Sequence, residues 1–74
     1  MDLPSPLITI EPDRMSGAPC FTGTRVPVQN LFDYIEAGDP LGGFLEDFPD
    51  VSREHAIAVI TASRQLVMAQ AAAE

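Results

Sequence analysis

The spacing of apolar residues changes period along the chain. Leu7-Ile8-Thr9-Ile10 is a β-branched, apolar run with Thr9 as its polar member, and Glu11-Pro12-Asp13 closes it with turn residues; together they predict a short strand. Ala18-Pro19-Cys20-Phe21 is a second extended run. It leads into Thr22-Gly23-Thr24, where glycine permits a positive φ, and the chain returns through Arg25-Val26. The pattern predicts a small β-hairpin or edge ribbon over residues 7–27. Pro27 has no N–H to give to a sheet ladder, so it fits an edge position or a helix start.

From Val28 the period lengthens to about 3.6. Val28, Leu31, Phe32 and Ile35 form one apolar face of a first helix, which Gly38 ends. Asp39-Pro40 reads as an N-cap carboxylate followed by proline at the first helical position, and Leu41, Phe44, Leu45 and Phe48 repeat the spacing in a short second helix. Gly42-Gly43 weakens that helix, and Pro49 disfavours helical geometry at Phe48. After the turn Pro49-Asp50-Val51, Ser52 caps a third helix that runs from Arg53 to about Ala73, roughly 30 Å long at 1.5 Å per residue. Ala56, Ile57, Val59, Ile60, Leu66, Val67 and Met68 spread around it. A helix that serves one intramolecular core shows a single apolar stripe, so this one predicts a second buried face against a sister subunit or another protein.

The expected fold is therefore mainly α. An N-terminal β-hairpin or edge strand precedes a three-helix core, with residues 1–6 as a loose end, 7–27 as the β segment and 28–74 as the helical part. Seventy-four residues form one small domain. A core of this size seldom supplies more than about 3–5 kcal/mol of net stability, which favours a homodimer. Cys20 is the lone cysteine and cannot form an internal disulfide. The opening Met1-Asp2-Leu3-Pro4-Ser5-Pro6 has neither a basic nor an apolar leader segment, so the expected compartment is a reducing cytosol. Arg53, Glu54, Arg64 and Gln65 interrupt the longest helix, which excludes a membrane span there.

Charge narrows the function classes. Eleven acidic residues face four arginines and no lysine, for a formal net charge of −7. DNA affinity comes largely from neutralising phosphates, so this balance argues against nonspecific nucleic-acid binding and for a protein partner. Nothing assembles into catalytic, cofactor or metal chemistry. Cys20 and His55 each stand alone, Glu46, Asp47 and Asp50 lack the ligand ladder of a calcium loop, and Gly42-Gly43 lacks the lysine and hydroxyl residue of a phosphate loop. The expected protein is not an enzyme and carries no cofactor or metal.

Helix, short turn and capped helix resemble a helix-turn-helix. If this unit meets operator DNA, Arg53 and His55 on the first turn of the third helix are the candidate contacts, with Arg25 gripping phosphate from the hairpin. Arg25 has an equally good structural reading, as a partner for turn carbonyls or for Asp33 or Asp39.

The runs Ile8-Thr9-Ile10-Glu11-Pro12-Asp13 and Ser16-Gly17-Ala18-Pro19-Cys20-Phe21-Thr22-Gly23-Thr24-Arg25-Val26-Pro27-Val28, then Phe48-Pro49 before the capped Ser52, resemble the bacterial family known as domain of unknown function 433, over about residues 7–66. The chain departs from it at Ala18, where the family often has a basic residue, and at Gly42-Gly43, where it has polar ones. The resemblance implies a homeodomain-like three-helix core and an antitoxin of a type II toxin-antitoxin pair, partnered by a PIN-like ribonuclease toxin. Together with the excess apolar surface, it makes Val59, Ile60, Arg64, Leu66, Val67 and Met68 the candidates for toxin or dimer binding. The alternative is a helix-turn-helix transcriptional regulator without a toxin.

Overall fold

The computed structural model describes residues 3–13 and 15–73, with Met15, Ala72 and Ala73 described through their backbone alone. Met1, Asp2, Arg14 and Glu74 lie outside the described residues, and with them part of the loose end expected for residues 1–6.

Two short strands open the chain. Strand β1, Ile8–Thr9, pairs antiparallel with β2, Cys20–Phe21, in the register Ile8 to Phe21 and Thr9 to Cys20. A 3-10 turn at Met15–Gly17 lies between them. The Thr22 N–H extends the ladder to the Leu7 carbonyl at 3.0 Å, and the Thr9 and Thr22 hydroxyls bond across it at 2.7 Å. On its other edge β2 meets the returning chain: the Phe21 N–H donates to the Val26 carbonyl, and a single bridge joins Cys20 to Pro27. Pairing on that side goes no further because Pro27 has no donor. Between them Thr24 ties the turn, with its hydroxyl donating to the Phe21 carbonyl at 2.8 Å and accepting from the Val26 N–H at 3.0 Å. Gly23 sits at φ +85°, where a side chain would strain the backbone.

Helix α1, Val28–Glu36, begins directly after Pro27. It ends in a Schellman motif, with Gly38 N–H donating to Ile35 and Asp39 N–H to Tyr34, while Gly38 takes the left-handed conformation at φ +84°. The expected apolar face holds for Val28 and Leu31, which are buried, and for half-buried Phe32. Ile35 corrects it, because this side chain is exposed. Tyr34 takes the inner place instead, with its ring edge-on to Phe44 and Phe48 at 5.6 and 6.0 Å.

Helix α2, Leu41–Asp47, starts one residue later than Asp39-Pro40 suggests. Pro40, in extended geometry, occupies the cap and no side chain bonds there. The Asp39 N–H is engaged in closing α1, and that places Asp39 in the α1 terminus rather than at the head of α2. Phe44 is fully buried, and Phe48 leaves the helix at φ −127°, ψ 71°, outside the α region that the following proline disfavours. Val51 in the following turn is buried.

Helix α3, Arg53–Ala73, is capped by Ser52, whose hydroxyl accepts the His55 N–H at 3.1 Å. Its first three turns close the core: Ala56 and Val59 pack with Phe21, Val26, Val28, Leu31, Phe44 and Val51, and Ile60 packs partly against them. A hairpin followed by three helices, mainly α, is thus the observed layout. No helix among the described residues is long and apolar enough to cross a membrane.

Candidate docking surface

His55 is the buried polar residue of the core, only 5% exposed. Its Nε2 donates to the Leu7 carbonyl at 2.8 Å, forty-eight residues earlier in the chain, and its ring stands edge-on to Phe21 at 5.1 Å. The side chain therefore fastens the N-terminal arm to α3 and lies inside the core rather than on the surface. Arg53, two residues earlier, points outward and is exposed, as is Arg25 at the hairpin turn. Neither forms an ion pair with a described residue, and neither does Arg64. Arg25 thus satisfies none of the structural roles open to it in the sequence.

The toxin- or dimer-binding candidates divide by exposure. Val59 is buried in the core and Ile60 is half-buried against it, so both hold α3 in place. Arg64, Leu66, Val67 and Met68 are exposed, the last three at 71%, 62% and 59%. The change comes at Ser63, whose hydroxyl bonds back to the Val59 carbonyl at 2.9 Å; from Arg64 to Ala71 every residue is exposed.

Three hollows flank this helix and the hairpin. An apolar groove of about 360 Å³ runs between hairpin, α1 and α3, walled by Leu7, Ile8, Val28, Phe32, Val59 and Leu66. Sequence reasoning missed it, since it joins residues from three elements and no periodicity reports that. A shallow trough on another side of α3 includes Leu3, Leu7, Ile57 and Thr61. Ile57, 45% exposed, was likewise absent from the binding candidates, although its apolar character against the core stripe was the available signal. The third hollow, about 250 Å³, lies under the hairpin turn with Thr9, Glu11, Cys20, Thr22, Thr24 and Arg25 around it. Cys20 there is buried, its thiol directed to the Ala18 carbonyl at 3.5 Å. Among the described residues, no group of three or more His, Cys, Asp or Glu is placed to hold a metal ion.

One polar contact away from these surfaces is perturbed. The Tyr34 hydroxyl donates a short hydrogen bond to Asp47 across α1 and α2. That bond, with some loss of solvation and the charges of Asp47 and Asp39, raises the phenol above its ordinary pKa.

The sequence model for the family described as "Protein of unknown function (DUF433)" matches residues 8–61. This chain belongs to the DUF433 family. The match covers the hairpin, α1, α2 and the part of α3 that packs on the core, and stops at Thr61, short of the resemblance read to residue 66. Arg64, Leu66, Val67 and Met68 thus lie beyond the DUF433 match. No curated protein and no solved structure matches this chain.

Proposed function

We propose that this DUF433 protein is the antitoxin of a type II toxin-antitoxin pair, a cytosolic binding protein rather than a catalyst, which neutralises a PIN-like ribonuclease with the free half of α3. The observation that carries the reading is the uncovered apolar run Leu66-Val67-Met68 on a helix already anchored to the core by His55, Ala56 and Val59. Exposed neighbouring residues of this size are uncommon on a protein that works alone, and they mark interaction sites. Leu66, Val67 and Met68 point about 100° apart around this anchored helix, so a partner's cleft meets one side of it at a time, as in groove recognition by a helix. A homodimer through the hairpin side leaves this half of α3 free for the toxin.

Growth rescue in cells expressing the toxin from the adjacent gene tests the reading. The full chain restores growth and the chain truncated after Ser63 does not; full rescue by the truncated form refutes the proposal.

A second reading is an operator-binding regulator. It is favoured by one observation: Arg25 and Arg53 are both exposed and without an ion pair to a described residue, on the hairpin and at the head of the helix that follows the α2 turn. His55 is removed from that contact set by its burial. A mobility shift with the promoter region should weaken steeply with salt and vanish for Arg25→Ala or Arg53→Ala. Absence of any shift, with or without the toxin, excludes it.

A further inference from the structure

The two arginines of α3 are eleven residues apart (64 − 53), about 16 Å along the axis. Eleven residues at about 100° each return almost to the same side of a helix, so Arg53 and Arg64 share one face. Ile57, Met68 and Ala71 fall within the same arc of about 60°. All five are exposed. Val59, Ala62 and Leu66, which line the groove, lie on the other side of the cylinder. Helix α3 thus has a second face on the side away from the groove, bordered at Ile57 by the trough that includes Leu3 and Leu7.

Charge on this helix runs against the rest of the molecule. In a chain with net charge −7, residues 55–73 contain no aspartate or glutamate, and Arg64 is their one formally charged residue. No described residue pairs with Arg53 or Arg64. The face carries Arg53 at its head and Arg64 further along, with Ile57 between them and Met68 and Ala71 beyond; Glu54, which borders the same trough as Ile57, is the helix's one carboxylate beside it.

We propose that this face docks on a protein surface that is apolar along its middle and carries carboxylates that meet Arg64 and Arg53. A guanidinium that enters an apolar interface needs a bidentate acid, and desolvation there strengthens the pair. Nucleic acid fits less well. Its phosphates satisfy the arginines but leave Ile57 and Met68 uncovered, and the acidic body repels the polyanion. A second copy fits less well too, because its matching helix offers one carboxylate, Glu54, for two guanidiniums, and none from residue 55 to 73. The inference rests on the antitoxin reading and specifies the chemistry of the toxin surface.

Calorimetric titration of the adjacent-gene toxin with the full chain tests it, using variants at exposed positions whose helicity is checked by circular dichroism. Arg64→Ala should weaken binding by about thirty-fold or more. Arg64→Glu and Ile57→Asp should abolish it, while Ile35→Asp, an exposed site on α1, should change it less than about two-fold. Wild-type affinity for Arg64→Glu and Ile57→Asp overturns the assignment of the face and leaves the antitoxin reading standing. Equal loss with Ile35→Asp overturns it as well. A wild-type dimer that Arg64→Glu dissociates in sedimentation reassigns the face to a second copy, and promoter binding lost in the same variants reassigns it to DNA; either result refutes the proposal. No binding by the wild-type chain withdraws both readings.

Discussion

At the scale of single residues, His55 sets the geometry of the candidate surface without touching a partner. Its bond to the Leu7 carbonyl and its contact with Phe21 are separable by substitution. His55→Phe keeps an aromatic ring but leaves the carbonyl unpaired, and should lower stability by about 1–3 kcal/mol. His55→Ala also removes the ring and should cost about 2–4 kcal/mol, most of what a core this small supplies. Urea denaturation measures both; a Phe variant as stable as the wild type shows that the bond contributes nothing. Tyr34, the one tyrosine of the chain, gives an independent spectroscopic handle. The folded chain holds its proton more tightly than the unfolded chain, so the stabilising contribution is complete below the ordinary value of 10.0 and is lost as pH rises through the raised folded value. Phenolate absorbance should show a midpoint above that ordinary value, and Asp47→Asn, which removes the leading cause, should move it back down.

At the scale of elements, the helices follow from apolar spacing and from their punctuation. Val28, Gly38, Ser52 and Pro49 mark boundaries by local chemistry, and local chemistry is legible in a sequence. Asp39 misleads because aspartate before proline is a good start signal, yet its N–H closes the Schellman motif of α1 and the next helix opens on Pro40. Ile35 misleads because a 3.6-residue period does not say which of two adjacent residues, Tyr34 or Ile35, turns inward; the aromatic contacts to Phe44 and Phe48 decide it. His55 and Val59 were legible as residues of α3 but not as buried ones. Their partners, Leu7 and the core, are distant in sequence. The glycines of α2 were legible in full. Both Gly42 and Gly43 lie in helical backbone, and beyond their chain neighbours and the helix's own backbone nothing comes within 4 Å of where a Cβ would stand. Gly42→Ala and Gly43→Ala should therefore each raise stability by about 0.5–1 kcal/mol in the same urea series, and a loss in either would mean the helix needs its looseness.

At the scale of the whole molecule, α3 belongs to two environments. Up to Ser63 it is part of the core, and beyond that its described side chains are exposed, with Leu66 at the rim of the groove. Helices of about ten residues are marginal in water when nothing packs on them, so this end opens far more readily than the anchored end. The break between the two regimes falls next to Arg64, and the chain has no lysine. Trypsin should therefore find, among the described arginines, its fastest site there, since Arg25 lies in a turn tied by Thr24 and Arg53 lies in the first turn held by Ser52 and His55. Mass spectrometry of a brief digest should show a fragment ending at Arg64 before fragments ending at Arg25 or Arg53; the reverse order would mean that the projecting half is the better protected. A protease thereby becomes a gauge of occupancy: the rate at which the last ten residues are clipped off reports the fraction of molecules whose third helix is uncovered at that moment.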